Sequence, residues 1–408
     1  MLLDLNRYSL TVFGHEAKAL TKLALPMMLA QIAAVGVGFV DTVMAGAAGK
    51  DDLAAVALGS SAFVTVFVTL MGVMTALNPT ISQLWGAGKQ NEVGETGRQG
   101  LWFGLLLGVI GMVLLLAAIV PFMAYLELSD KVEHMLAWYL GFVALAMPAA
   151  MLHRALHAYA SSLNRPKPIM WVSWAALLLN IPLNYMFVYG KFGMPALGGA
   201  GCGLATLLVF WFNAAALWLY VKKQHYFKAF GLSGSYSKPD FGAMKRLWKL
   251  GWPIGFSYFL EVSLFSFIVF LVAKFGADEV AAQQIVISLI TLIYMIPQAI
   301  GTAATVRVGY TLGRGQRVRA RYISGVAVAF GVVLALLTML VMTVLRYPLA
   351  GMYTSDAVVL ALAVQVLLPA ALYQLFDFAQ GRRHFRPLPQ RYAAFCFYIF
   401  SYNLFAEI

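Results

Sequence analysis

The sequence has few charged residues, few histidines and almost no cysteine. Charged side chains make up 11% of its 408 residues, whereas soluble domains carry about 25%. Six histidines and two cysteines leave little material for a metal enzyme and exclude a disulfide framework. Hydrophobic residues, in contrast, make up 61% of the chain. The composition therefore excludes a soluble globular domain and predicts an integral membrane protein. The scarcity of His and Cys argues against an enzyme, and we expect no cofactor.

Ten long apolar segments predict transmembrane helices, because a helical span needs about 20 apolar residues. The segments are Leu23–Ala47, Leu53–Leu77, Gly100–Val120, Leu136–Tyr159, Ile169–Tyr189, Leu197–Val221, Trp252–Phe275, Val280–Ala304, Ile323–Leu345 and Val358–Ala379. A further run, Ala393–Phe405, is too short to span a bilayer alone and counts as a partial eleventh. The predicted fold class is all-α integral membrane.

Basic residues are distributed unevenly among the loops. Most of the 29 Lys and Arg residues precede the first segment or follow an even-numbered one. The exceptions are Lys50, Lys131, Lys191, Lys274 and Arg346, together with Arg154 near the end of the fourth segment. By the positive-inside rule, the N-terminus and the linker after the sixth segment are cytoplasmic. The net charge of +12 then reflects topology next to a lipid bilayer, and we expect no nucleic-acid partner.

Two copies of one unit are visible at an offset of 227 positions. The matching pairs are Pro26 with Pro253, Gly49 with Gly276, Gly86 with Gly313 and Gly88 with Gly315. A long cytoplasmic connection after six spans preserves direction, which is typical of parallel repeats in transporters. We expect an N-terminal lobe over 1–221, a linker over 222–250 and a C-terminal lobe over 251–408. In the second copy, the counterparts of segments five and six are not recognisable.

Three acidic residues lie inside apolar segments: Asp41, Glu261 and Asp377. A charge at the middle of a span costs about 2.5–3.5 kcal/mol, so such residues usually face a bundle interior or a watery cavity and are functional. Glu261 and Asp377 could meet in the inner half of the second bundle. Paired carboxylates suit either Na⁺ or a proton, and the sequence does not separate these cases. A buried hydrogen bond that only fixes packing is the alternative.

Polar and small residues at helical spacing add further candidates. Asn180 and Asn184 lie on the fifth segment, and interhelical hydrogen bonds are their main alternative to a binding role. The run GGAGCG over 198–203 opens a span and follows no strand, so it predicts close helix packing rather than phosphate binding. Gly104 and Gly108 predict the same.

Five motifs together resemble the multidrug and toxic compound extrusion transporters, in particular the NorM-type branch. They are VDTVMAG at Val40–Gly46, LAAVALG at Leu53–Gly59, LNIPLNYMFVYG at Leu179–Gly190, FGADEVAAQQI at Phe275–Ile285 and GTAATVRVGYTLGRG at Gly301–Gly315. The resemblance covers about residues 10–380 and implies two parallel six-helix repeats. It also implies antiport of cationic amphipathic drugs and dyes against Na⁺ or H⁺, by a monomer in the bacterial inner membrane.

The resemblance also implies site residues. Glu261, Asp377 and Tyr294 match the cation site of the family, with Glu261 and Asp377 as ligands if Na⁺ binds. The residues that match its drug cavity are Asp41, Asp356, Gln284, Ser288, Phe265 and Ser61. The sequence departs from the family pattern after Gln380. That departure leaves open a truncated remnant that does not transport. A lipid-linked saccharide flippase also stays open, because related folds do that work.

Overall fold

A computed structural model describes residues 10–125, 129–232, 237–272, 276–354 and 356–379. Every regular element in these ranges is a helix. The helices are α1 (Leu10–Ala48), α2 (Lys50–Met74), α3 (Leu77–Gly86), α4 (Gln90–Tyr125), α5 (Asp130–Ser162), α6 (Lys167–Tyr189), α7 (Gly199–Lys223), α8 (His225–Lys228), α9 (Phe241–Val272), α10 (Ala277–Gly313), α11 (Arg317–Val344), α12 (Arg346–Gly351) and α13 (Ala357–Ala379). The predicted all-α class is confirmed.

Eight helical stretches in the described residues are long and apolar enough to cross a membrane. They correspond to the predicted segments one to six, eight and nine. The seventh segment lies on α9 and the tenth on α13, which are helical but are not among these eight. The short run 393–405 lies outside the described residues. The total of ten spans and a partial eleventh therefore stays a prediction.

The chain divides into two compact units. The large unit comprises Leu29–Phe259, and the small unit comprises Met1–Met28 together with Leu260–Ile408. Helices α1 and α9 each contribute residues to both units. The compact units divide the chain at other positions than the predicted lobes do. The lobes at 1–221 and 251–408 stay a prediction.

In the large unit, α5 packs closely against α4 because α4 carries glycines at the contact. A Cβ atom on Gly104 would lie 2.9 Å from the Met151 carbonyl oxygen. A Cβ atom on Gly108 would lie 2.5 Å from the Cα atom of Pro148. Distances this short leave no room for a side chain, so the predicted packing role of this small-residue pair is confirmed.

The linker that follows α7 is also held by the large unit. Phe227, Phe230 and Leu232 are buried in its core. Gln99 on α4 binds the next part of the linker from both ends of its amide: Nε2 donates to the Lys238 carbonyl at 2.8 Å, and Oε1 accepts the Asp240 N–H at 2.8 Å. The start of α9 is therefore placed by side chains of α4.

The small unit has a core in which the beginning of α1 packs against α10 and α11. Leu20, Leu23 and Met27 of α1 are almost completely buried there. Next to this core, the carboxylate of Glu16 forms ion pairs with Arg307 of α10 and Arg319 of α11, the second at 3.0 Å. These two ion pairs connect three helices of the small unit through Glu16, whose side chain is only 5% exposed.

Candidate functional site

Asp41 lies at a junction of three helices in the large unit. Its residue surface is only 5% exposed. From α6, the amides of Asn180 and Asn184 donate to carboxylate oxygen Oδ1 at 3.1 Å and 2.6 Å. From α7, the hydroxyl of Thr206 donates to Oδ2 at 2.8 Å. Both oxygens of this carboxylate are therefore bound by neutral donors from two neighbouring helices.

Helical spacing explains how single helices supply these donors. Asn180 and Asn184 are four residues apart on α6, so they lie on one face, and Asn184 Nδ2 also donates to Asn180 Oδ1 at 3.1 Å. Cys202 and Thr206 have the same spacing on α7, and the Cys202 thiol reaches the Asp41 carbonyl oxygen at 3.5 Å. Two adjacent turns of each helix thus contribute to the cluster.

The glycine-rich start of α7 lets that helix approach its neighbours closely enough for these contacts. A Cβ atom on Gly201 would lie 2.6 Å from the carbonyl carbon of Phe187 on α6. A Cβ atom on Gly203 would lie 3.1 Å from the ring of Tyr139 on α5. The prediction that this run serves helix packing is confirmed, and the packing brings Thr206 to Asp41.

One buried amide oxygen in the Asp41 cluster receives no hydrogen bond in the described part of the chain. Within the described residues, the buried Oδ1 atom of Asn184 accepts no hydrogen bond. No Lys or Arg in the same part of the chain lies within ion-pair distance of Asp41. A buried carboxylate beside an unsatisfied acceptor is an environment that favours a small cation, because carboxylate, amide and hydroxyl oxygens are hard ligands.

A cavity of about 920 Å³ lies beyond this cluster at the end of the large unit where α6 ends and α7 begins. Its charged and aromatic lining residues are Asp52, His134, Trp138, Phe142, Tyr185, Tyr189 and Lys191. The hydroxyl of Tyr189 donates to the Met44 carbonyl at 3.1 Å, three residues from Asp41. One wall of the cavity is therefore connected to the helix that carries the buried acid.

Asp52, at the edge of this cavity, has a structural role. It is 5% exposed, and its Oδ1 atom accepts the N–H of Gly199 at 2.6 Å, which caps the start of α7. Gly198, the residue before Gly199, has a φ of 56°. A Cβ atom on Gly198 would lie 2.0 Å from Oδ1 of Asp52. Only glycine fits both the conformation and the space.

Ser61, the other predicted drug-site residue of the large unit, lies on α2 and is exposed. Its backbone carbonyl accepts a hydrogen bond from the Thr65 hydroxyl at 2.9 Å. The side-chain donors that reach the Asp41 carboxylate come from α6 and α7, and Ser61 is not one of them. The structure therefore does not bring these two predicted residues together by a direct hydrogen bond within the described ranges.

In the small unit, the predicted residues are distributed over three helices. Glu261 on α9 and Tyr294 on α10 are both half-buried. Gln284 and Ser288 lie one turn apart on α10, where the Ser288 hydroxyl donates to the Gln284 carbonyl at 2.8 Å. The side chains of Phe265 and Asp377 lie outside the described part of the chain, so the pairing of Glu261 with Asp377 stays a prediction.

Asp356 differs from the other predicted residues because it binds its own helix. Its Oδ1 atom accepts the N–H groups of Val358 at 2.8 Å and Val359 at 3.2 Å, at the beginning of α13. The residue is exposed. This geometry is that of an N-cap, a local role that the sequence pattern did not indicate.

Sequence reasoning found the acid of the large-unit cluster but missed part of its surroundings. It named Asn180 and Asn184 as candidates for interhelical hydrogen bonds, and both do form them. Thr206 and Cys202 were not singled out. Their signal was the four-residue spacing of Cys202, inside the glycine run, and Thr206, three residues after that run.

A comparison with protein families decides the identity of the fold. The family model MatE matches residues 26–186 and 253–381, which is most of the chain and includes both repeats. The chain belongs to this family of multidrug and toxic compound extrusion transporters. Members of the family are transporters rather than enzymes, and they need no bound cofactor.

Relatives within the MatE family include proteins of the NorM type. The chain is 65% identical to the "Probable multidrug resistance protein NorM" of Neisseria meningitidis serogroup A, over 93% of the chain and 83% of the relative. It is 39% identical to the "Multidrug resistance protein PmpM" of Pseudomonas aeruginosa, over 90% of the chain and 76% of the relative.

Solved structures agree with this assignment. The MATE transporter NorM-NG, solved in a complex that includes a monobody, is 56% identical, with a TM-score of 0.74 over 92% of this chain and 82% of that one. The eukaryotic MATE transporter AtDTX14 is 20% identical and has a TM-score of 0.81 over 95% of this chain and 83% of that one. The second likeness concerns the fold alone.

Proposed function

We propose that the chain exports cationic amphipathic compounds in exchange for Na⁺ or H⁺. The relatives named multidrug resistance proteins favour drugs as substrates over lipid-linked saccharides. The 56% identity to the solved transporter NorM-NG supports the same substrate class, because the two chains share the NorM type. We place the protein in the bacterial inner membrane with its N-terminus and linker on the cytoplasmic side, since basic residues concentrate there.

The observation that carries the ion-coupling part of the proposal is the Asp41 cluster. Its carboxylate is buried, holds no basic partner in the described ranges, and lies beside the unsatisfied amide oxygen of Asn184. A proton or a dehydrated Na⁺ is small enough to enter this cluster, whereas a drug-sized cation is not. A drug could reach Asp41 only after Asn180, Asn184 or Thr206 releases it.

The same geometry suggests how ion and drug could exclude each other. When a proton or Na⁺ occupies the cluster, the negative charge of Asp41 is neutralised and no longer attracts a cationic drug. A ligand shifts a conformational equilibrium only through different affinities for the two states, and the hydrogen bonds from α6 and α7 are contacts that can differ between states. We propose that Asp41 belongs to this exchange, together with the predicted cation site at Glu261, Asp377 and Tyr294.

For the drug, we propose the family's cavity residues that the sequence analysis identified: Asp356, Gln284, Ser288, Phe265 and Ser61, with Asp41. We also propose that the family's two parallel repeats, here with ten spans and a partial eleventh, alternate access, and that a monomer is the working state. Two acids on opposite repeats, Asp41 and Asp356, provide negative charge for a cationic substrate.

The test is transport by the purified protein in liposomes with an imposed Na⁺ or pH gradient. Glu261→Gln and Asp377→Asn should each reduce gradient-driven export of a fluorescent cationic dye to the level of empty liposomes. Asp240→Asn, which removes an exposed acid of the linker, is the matched control and should transport at the normal rate. Normal coupled transport by either the Glu261 or the Asp377 variant would refute the cation site.

A further inference from the structure

One face of α9 carries four stacked aromatic side chains. Trp248, Trp252, Phe256 and Phe259 follow one another with ring centroids 5.1, 6.0 and 6.3 Å apart and ring planes 24°, 29° and 25° apart. Each is between 38% and 46% exposed. We call these four residues the aromatic ladder. All of them belong to the part of α9 that lies in the large unit.

Two lysines extend the same face toward the linker. At about 100° per residue, the aromatic ladder occupies an arc of about 80°. Lys245 falls inside this arc, and Lys249 lies about 20° beyond its edge. Both lysines are exposed, and neither has a carboxylate within ion-pair distance in the part of the chain that the structure describes. Arg246, which lies 3.9 Å from the Asp240 carboxylate, falls outside this arc.

The first repeat provides an internal comparison. At the offset of 227, Lys245 and Lys249 correspond to Lys18 and Lys22 of α1, which are also exposed. The aromatic ladder, however, corresponds to Thr21, Leu25, Leu29 and Ile32. The basic pair is therefore common to both repeats, whereas the stacked rings occur in one. The corresponding part of α1 forms a helix without stacked rings.

An interfacial aromatic belt explains only part of the ladder. Trp and Tyr concentrate where the bilayer meets water, which suits Trp248 and Trp252. Phe259 lies eleven residues beyond Trp248, or about 16 Å along the helix at ~1.5 Å per residue. The rings thus continue from the interface into the hydrocarbon layer, beside the basic pair.

We propose that this face of α9 binds an anionic phospholipid from the leaflet on the linker side. The phosphate group would lie between Lys245 and Lys249, because two ammonium groups one helical turn apart can both donate to its oxygens. The acyl chain would lie along the aromatic ladder. A zwitterionic lipid offers no net charge to the lysines, and a cationic amphiphile is repelled by them.

The test is lipid retention after purification of the full chain from vesicles that contain equal amounts of phosphatidylglycerol and phosphatidylcholine. Bound lipid is counted by mass spectrometry of the intact protein. With attractions of about 1 kcal/mol per lysine, the double change Lys245→Gln and Lys249→Gln should reduce phosphatidylglycerol retention about tenfold or more. Phosphatidylcholine retention should not change.

Three further variants separate this site from a general charge effect. The pair Lys18→Gln and Lys22→Gln removes the same charge from α1 and should leave most of the retained lipid in place. The pair Trp252→Leu and Phe256→Leu keeps the α9 lysines and should also lower retention. Lys245→Arg with Lys249→Arg should restore binding, which excludes misfolding as the cause of the loss.

Equal losses from the α1 and α9 lysine variants would overturn the proposal in favour of diffuse electrostatic attraction. Equal retention of both lipids by the unmodified protein would overturn it as well. None of these measurements depends on transport, so they are independent of the proposed drug export.

Discussion

Two acids that the sequence assigns to one drug cavity, Asp41 in the large unit and Asp356 in the small unit, are used differently in the structure. Asp41 is buried and takes side-chain donors from two other helices. Asp356 is exposed and accepts backbone N–H groups from the first turn of its own helix. The carboxylate of Asp41 therefore holds α6 and α7 against α1, while Asp356 stabilises the first turn of one helix.

The largest difference between the two acids should follow from their removal. Asp41→Ala leaves the buried donors of Asn180, Asn184 and Thr206 without their acceptor, and we expect a loss of about 2–3 kcal/mol in the free energy of unfolding. Thermal unfolding of the purified protein in detergent measures this loss. Asp41→Asn, of nearly the same shape, should unfold closer to the unmodified protein but should lose ion-driven dye export.

If Asp41→Asn transported normally, the negative charge of Asp41 would not belong to the exchange, and its role would be packing alone. The liposome assay with the Asp240→Asn control gives this answer directly. It thus distinguishes the functional role of the carboxylate from the hydrogen bonds that it accepts.

A smaller effect is expected at Asp356. Asp356→Ala removes the N-cap of α13 and should cost about 1 kcal/mol, seen as a modest decrease in the unfolding temperature. Asp356→Asn can still cap the helix, so its stability should be close to normal. If the charge also binds drug, Asp356→Asn will weaken the binding of a cationic dye, measured by fluorescence, while a neutral dye binds as before. If Asp356→Asn binds the cationic dye as tightly as the unmodified protein does, Asp356 serves only as a helix cap.

The smallest effect should come from Thr206→Val. The change removes one of three donors to Asp41 and preserves the shape of the side chain. Hydrogen bonds between membrane helices are worth about 0.6 kcal/mol on average, so we expect a decrease of that order. A loss as large as that of Asp41→Ala would mean that Thr206, rather than the two asparagines, holds the cluster together. Thr65→Val on α2 is the control, because in the described residues it removes a hydroxyl that bonds to the Ser61 carbonyl of its own helix.

The cluster around Asp41 shows how far sequence reasoning reached. An acid inside an apolar run is recognisable because of its cost in lipid, and Asn180 and Asn184 are recognisable by their spacing. Thr206 was missed because a threonine in a membrane helix usually bonds to its own backbone, as Thr65 does. Its partner is 165 residues away in sequence, and no local pattern indicates such a pair.

The same limit applies to the ends of helices and to the linker. The glycine run before Thr206 correctly predicted close packing, but the capping of α7 by Asp52 depends on a contact over 147 residues. The linker was predicted as a cytoplasmic connection from its charge. Its attachment to Gln99 of α4 could not be predicted, because a glutamine side chain has many equally suitable partners in sequence.

The sequence by itself determined the helical membrane fold, the two repeats and the acids that lie in apolar surroundings. These features follow from the length of a bilayer span and from the cost of a charge in lipid, which act on each segment separately. Only the tertiary structure decided that Asp41 is bound by three neighbouring side chains and that Asp356 caps its own helix. Hydrogen-bond partners are set by which helices meet, and helix packing depends on close contacts between residues far apart in the chain.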